Sequence, residues 1–201
     1  MRTEVAVVVP VKAFTEAKAR LAPVLDPAGR AALARRLAAG VLASAGPLPV
    51  TVACDDEEVE AWARAAGATV TWTAGLDLNG SVQSAVEALA ERGVTRVIVA
   101  HGDLPDARDL TVLAAGAGVS AVPDRRRDGT NVLAVPTGAG FRFAYGPGSF
   151  ARHRAEAARV GLVFDEVNAL DLERDIDDAG DLEPGDLEPE GRGVGQLPAG
   201  G

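Results

Sequence analysis

Apolar positions recur along the chain in two alternating rhythms. Positions 4–10 (EVAVVVP) form a nearly unbroken β-branched run, the pattern of a strand buried on both faces. Asp26 followed by Pro27 offers a capping carboxylate and then a residue pre-set for a first helical turn. Leu33, Leu37 and Val41 follow at intervals of four, so that helix has one buried stripe. Positions 50–53 and 69–72 predict two further strands. Between them Asp55 is expected to cap an acidic helix that Gly67 ends. Val82, Ala85, Val86 and Leu89 place a helix over 80–92, closed by Gly93, and VIVA at 97–100 predicts another buried strand. A helix over about 106–115, strands at 119–122 and 131–135, and an amphipathic helix over 149–159 with Ser149 as its cap complete the pattern.

Strands alternating with helices of this length predict an α/β domain with a mostly parallel sheet, helices on both faces and right-handed crossovers. After position 182 the chain is rich in Pro, Gly and acid and has no apolar period. One folded domain over 1–182 and a disordered tail over 183–201 are therefore expected.

Composition narrows the function classes. At 201 residues the chain suits one well-filled domain, and with 4% aromatics its core must be built from Val, Leu and Ala. The net charge of -9 speaks against a nucleic-acid partner, because phosphate-backbone binding depends on clustered Lys and Arg. A small anion remains compatible if local cations or a metal reverse the field. One cysteine, Cys54, excludes an intrachain disulfide and a cysteine-based zinc site. The apolar run near the start is too short to span a bilayer and lacks signal-peptide flanks, so a cytoplasmic protein with no membrane partner is expected.

In open α/β sheets, ligands sit at the carboxyl ends of the strands. After the first strand, Lys12, Lys18 and Arg20 fall within nine positions of an otherwise acidic chain, a loop able to wrap a triphosphate; a solvated loop with chance basic residues is the competing reading. After VIVA comes His101-Gly102-Asp103-Leu104-Pro105, where Asp103 could hold a divalent cation between phosphate oxygens or simply cap a turn. His101 suits loop support better than base catalysis. Asp175 and Asp177 share one face if their segment is extended, and two such carboxylates repel unless a cation lies between them. A solvated acidic turn would have the same pattern. Finally, Asp128-Gly129-Thr130-Asn131 pairs with a segment ending Gly146-Pro147-Gly148-Ser149 that opens a helix, a natural site for phosphate or carboxylate.

Taken in order, PVK-x5-K-x-RL (10–21), LNGS (78–81), GDLP (102–105), DGTN (128–131) and GPGSFARH (146–153) resemble the guanylyltransferases of deazaflavin coenzyme F-420 biosynthesis, which act on 2-phospho-L-lactate or phosphoenolpyruvate. The resemblance covers about 4–182. GPGSFARH and the first loop are its most specific pieces, and GDLP is shared with many nucleotidyltransferases. It implies a three-layer Rossmann-like, glycosyltransferase-A-type nucleotidyltransferase fold, with GTP as donor, a small phosphorylated carboxylic acid as acceptor, magnesium as cofactor and release of pyrophosphate. By motif, Asp103 with Asp175 or Asp177 would hold the metal. Thr130, Gly146 and Ser149 would bind the acid, and Lys12, Lys18 and Arg20 the GTP phosphates, with Asn79 and Gly80 near the base or ribose. Asp103 and the three cations would be the catalytic set. The loop VPVKAFTEAKARL replaces the glycine-rich loop of other nucleotidyltransferases. A monomer or homodimer is expected. The rival readings are the same fold with molybdopterin or 3-phosphoglycerate as acceptor, and a non-catalytic nucleotide-binding module.

Overall fold

The structure, a computed structural model, describes residues 4–187. Seven strands form one sheet: β1 (Val5–Pro10), β2 (Val50–Cys54), β3 (Thr69–Trp72), β4 (Arg96–Ala100), β5 (Val119–Pro123), β6 (Thr130–Pro136) and β7 (Phe164–Glu166). Their spatial order is β3-β2-β1-β4-β6-β5-β7. Four α-helices accompany them: α1 (Pro27–Ser44), α2 (Glu57–Ala65), α3 (Leu78–Glu91) and α4 (Ser149–Arg159). Every neighbouring pair is parallel except those of β6, which runs antiparallel to both β4 and β5. The exception has a simple cause. A parallel return needs a crossover of a dozen residues or more, and the polar segment between β5 and β6 is too short for one.

Successive residues of β1 point to opposite faces of the sheet. Ala6 and Val8 pack with Val82, Val86 and Leu89 of α3, while Val7 and Val9 meet Val41 of α1 together with Leu110 and Leu113. Burying a side chain of this size is worth roughly 1.5–3 kcal/mol, so a strand covered on both sides favours the unbroken valine run. The result is three layers, helices on each face of a mostly parallel sheet. At the end of β4 away from the site, the buried guanidinium of Arg96 donates to the carbonyls of Leu113 and Gly118 and to Ser120 Oγ. It ties the ends of three segments together.

The structure corrects several expectations. Asp56, rather than Asp55, caps α2, accepting from the Val59 N–H at 2.9 Å. Helix α3 begins at Leu78 with Asp77 as its cap. The expected α-helix over 106–115 is only a 3-10 turn, Leu110–Leu113. Asp106 is unable to cap a longer helix because its carboxylate is committed to Arg174, at 2.7 and 3.2 Å. Gly148, at φ 72°, occupies the N-cap of α4; Ser149 is the first helical residue and makes no capping bond. Strand β7 has only three residues and falls at the head of the acidic stretch, so no period marked it. Folded chain also continues past 182. Pro184–Leu187 forms a 3-10 turn, and the buried Asp186 carboxylate accepts two bonds from Arg174, at 2.7 and 3.0 Å. The rest of the expected tail, from 188 on, lies outside the described residues.

Candidate active site

The sheet changes direction between β1, which leads outward to β2 and β3, and β4, which leads the other way. Such a switch opens a crevice beyond the carboxyl ends of the two strands. The loop after β1 brings Lys12, Lys18 and Arg20 there, and the loop after β4 brings His101, Gly102 and Asp103. Two cavities adjoin at this point. One, of about 300 Å³, is lined by Lys12, Lys18, Phe14, Leu78, His101 and Asp103 among others. The second, of about 540 Å³, is lined by Arg20, Asp103, Thr130, Gly146, Ser149, Asp175 and Asp177, again with Leu78 and His101. Segments up to 157 residues apart in sequence thus share one wall, and Asp103 stands in the part common to both.

The late carboxylates are placed by alternation. Leu172, Arg174 and Ile176 are buried, which turns Asp175 and Asp177 to the opposite side. The Ile176 N–H donates to the Asp103 carbonyl at 3.2 Å, pinning this segment to the β4 loop. Asn131 Nδ2 donates to the Leu172 carbonyl at 3.1 Å and holds its other end. Burial, then the charges of Asp103 and Asp177, push the Asp175 carboxyl up to about 6. Burial would also raise Asp103, but the charges of Lys18 and His101 and the hydrogen bond from Lys18 together outweigh that and hold the carboxyl below the ordinary range.

Lys18, a candidate phosphate ligand, lies beside the carboxylates. Its Nζ lies 2.8 Å from Asp103 Oδ2 and 3.9 Å from Asp177 Oδ1, and it donates to the Ile176 carbonyl. Its backbone sits in the left-handed region at φ 56°, which costs a side-chain-bearing residue roughly 1–2 kcal/mol. The ion pair and the carbonyl contact offset that cost. Lys12 is exposed in the wall of the first cavity. Arg20, with 75% of its side chain exposed, reaches Asp177 at 3.9 Å.

Do these residues suit a divalent cation? The buried Asp103 Oδ1 has no hydrogen-bond partner, and Asp175 is crowded by two like charges. A hard cation taking oxygen ligands answers both conditions. Among the described residues, however, no three His, Cys, Asp or Glu side chains converge into a ready-made metal site. Phosphate oxygens of a substrate would have to complete the shell.

The opposite wall is built by two loops laced together. Asp124 accepts from the N–H groups of Asp128 and Gly129 at 2.9 and 2.8 Å, and Asp128 accepts from the Gly148 N–H at 2.9 Å. A Cβ at Gly129 would stand 2.7 Å from Asp124 Oδ2, so a side chain there would displace the carboxylate that holds the two N–H groups. Thr130 and Ser149, at 2% and 1% exposure, face each other with their hydroxyl oxygens 3.3 Å apart. His153, one turn along α4, contacts both Thr130 and the Ala144 backbone. His153 lies within the GPGSFARH stretch, and its spacing of four from Ser149 on one helix is the signal in the sequence that the two share a face.

Asn79 and Gly80, the candidate nucleotide residues, are tied into the backbone at this point. Asn79 Oδ1 accepts from the Tyr145 N–H at 2.6 Å and its amide reaches the Tyr145 carbonyl at 3.5 Å, while the Gly80 N–H serves the Asp77 cap. Their neighbours Leu78 and Ser81 line a cavity at the ends of β1 to β3.

Residues 5–191 match the family described as guanylyl transferase, CofC like. The chain belongs to that family. Proteins similar to this CofC-like chain include the phosphoenolpyruvate guanylyltransferase of Roseiflexus castenholzii, 36% identical over 178 residues, which span 87% of this chain and 84% of that protein. The phosphoenolpyruvate guanylyltransferase of Rubrobacter xylanophilus is 35% identical, over 87% of this chain and 90% of its own. Among solved structures, a cytidylyltransferase from Leptospira borgpetersenii has a TM-score of 0.57 at 16% identity, with 89% of this chain and 83% of that one covered. CMP:2-keto-3-deoxy-manno-octonic acid synthetase has the same TM-score and identity, over 88% and 94%. At such identities these two show the fold, the glycosyltransferase-A-like nucleotidyltransferase type.

Proposed function

We propose that this CofC-like guanylyl transferase moves GMP from GTP to phosphoenolpyruvate, as a step in making coenzyme F-420, with magnesium as its cation. Family membership supplies the guanylyl transfer, and the names of the similar proteins favour this acceptor over molybdopterin or 3-phosphoglycerate. The observation that carries the reading is the shared wall at Asp103. It joins a cavity bearing Lys12 and Lys18 to one bearing Thr130, Gly146, Ser149 and Arg20.

In this reading an oxygen of the acceptor's phosphate attacks the α-phosphorus of GTP. The bond from that phosphorus to the bridging oxygen breaks, and its electron pair departs with pyrophosphate. A phosphate monoester has its second pKa near ~6, so the nucleophile is already anionic and no general base is needed. Burial lowers the pKa of His101, which suits a wall residue rather than a proton carrier. The barrier is the mutual repulsion of two polyanions, a matter of charge and positioning. Lys12, Lys18 and Arg20 hold the triphosphate and stabilise the departing charge. Thr130, Ser149 and the Gly146 loop orient the acid. Asp103 and Asp175 or Asp177 would hold magnesium, which would supply positive charge against the phosphates.

The test is direct: incubate the protein with each nucleoside triphosphate and with phosphoenolpyruvate, 2-phospho-L-lactate or 3-phosphoglycerate, and follow pyrophosphate and the coupled product by mass spectrometry. GTP with phosphoenolpyruvate should give the highest kcat/KM. No product with any acid in the presence of magnesium would overturn the assignment.

A further inference from the structure

Behind the Thr130–Ser149 wall, the buried His153 imidazole has both ring nitrogens engaged. Nε2 lies 3.1 Å from the backbone N–H of Ala144, a group that can only donate. Nε2 therefore accepts, and a neutral ring must carry its proton on Nδ1. Nδ1 is 3.0 Å from Thr130 Oγ1, so the imidazole donates to that hydroxyl. The ring is kept neutral. Burial first, then the positive charge of Arg152 and the neighbouring His101, push its pKa down to about 4, against a weaker upward pull from Glu156. Phe141 and Tyr145, at 6.0 and 4.8 Å between ring centroids, close the remaining sides without a charge.

This proton order decides what the wall offers to the cavity. Thr130 and Ser149 own two hydroxyl protons and share one hydrogen bond between their oxygens. While His153 donates to Thr130, one proton lies between the two hydroxyls and the other is left for the cavity. With the opposite tautomer, Thr130 would donate to the ring and Ser149 to Thr130. The wall would then present lone pairs alone, which repel an anion. We propose that His153 is a positioning residue that makes the Thr130–Ser149 pair a hydrogen-bond donor toward the phosphorylated acid. This rests on the reading of that cavity as the acid's site.

Two substitutions separate the nitrogens. In His153→Gln the side-chain oxygen reaches the Nε2 position and can accept from Ala144, but nothing donates to Thr130. In His153→Asn the amide sits near the Nδ1 position and can still donate to Thr130. One hydrogen bond to a charged group is worth enough to shift binding about 10-fold. His153→Gln should therefore raise KM for the acid by about 10-fold with KM for GTP unchanged, and His153→Asn should restore most of the loss. Thr130→Val should cost about as much as His153→Gln, and the double variant no more than Thr130→Val. An unchanged acid KM in folded His153→Gln, or losses that multiply in the double variant, would overturn the proposal. Should the variants fail to fold, nitrogen NMR of the ¹⁵N-histidine-labelled wild type reads the tautomer directly: a proton on Nε2 overturns the proposal, and one on Nδ1 supports it. A wild-type protein inactive with GTP and every acid would instead remove the function on which the proposal rests, whereas an active one with an indifferent His153→Gln removes only the positioning role.

Discussion

Replacing Asp175 by asparagine should make the magnesium-free protein more stable while impairing turnover. The carboxyl is pushed from 3.8 up to about 6, first by burial and then by Asp103 and Asp177. In the folded state the group holds its proton over a window where the unfolded chain has already lost it. Stability is therefore greatest below the unfolded pKa and falls as pH rises from about 4 through about 6. A displacement of this size corresponds to roughly 3 kcal/mol. Because Asp175 is only partly buried, solvent screening reduces that to about 1–2 kcal/mol. Asparagine keeps the shape and removes the charge. In urea titrations at pH 8 without divalent cations, Asp175→Asn should gain about 1–2 kcal/mol over wild type, and the gain should shrink at pH 4.5. Added magnesium should stabilise the wild type and close the gap. Equal midpoints at pH 8, or a gain that ignores pH, would refute the idea that three carboxylates are crowded here against their own repulsion.

The His153 titration has the opposite sign. Its pKa falls from 6.5 to about 4 on folding, so the unfolded chain binds the extra proton between those values and stability is lost as pH drops through that window. The full effect is worth roughly 3 kcal/mol, and a His153→Gln protein should show a flatter stability profile between pH 4 and 6.5 by the same urea assay. Asp186→Ala strips the buried Arg174 of its two-bond partner and leaves it Asp106, which is 41% exposed, the exposed Glu183 carboxylate at 3.8 Å and the Asp181 carbonyl at 3.3 Å. Breaking a buried pair costs about 3 kcal/mol or more, so the urea midpoint should fall at unchanged slope; an unmoved midpoint would mean that residues past 182 add nothing to the fold. Gly148→Ala places a Cβ at φ 72°, where it meets Arg152 at 3.4 Å. It should cost roughly 1–2 kcal/mol and raise KM for the acid more than KM for GTP, as steady-state kinetics in both substrates would show.

Much of the architecture was legible in local pattern. Runs such as EVAVVVP and VIVA can be buried on both faces only at the middle of a covered sheet, and β1 and β4 sit there. Periodicity likewise located α1, α3 and α4, since a helix buried along one side needs its stripe whatever packs on it. The clusters at 12–20, 101–103, 128–131, 146–149 and 175–177 could be found because chemistry at strand ends uses few residue types. Local pattern is silent on contacts between distant segments. It reads Asp106 as a helix start, although Arg174, 68 residues later, claims its carboxylate. Lys18 reads only as one cation of a basic loop, and nothing near it in sequence shows that folding sets its ammonium beside Asp103, 85 positions away. The bond by which Asn79 holds the Tyr145 backbone, 66 positions away, has no sign in the local sequence. Hydrogen bonds and ion pairs are satisfied in space rather than along the chain. Which polar side chains remain free for a ligand, and which way the protons behind them point, is therefore decided only when the loops meet.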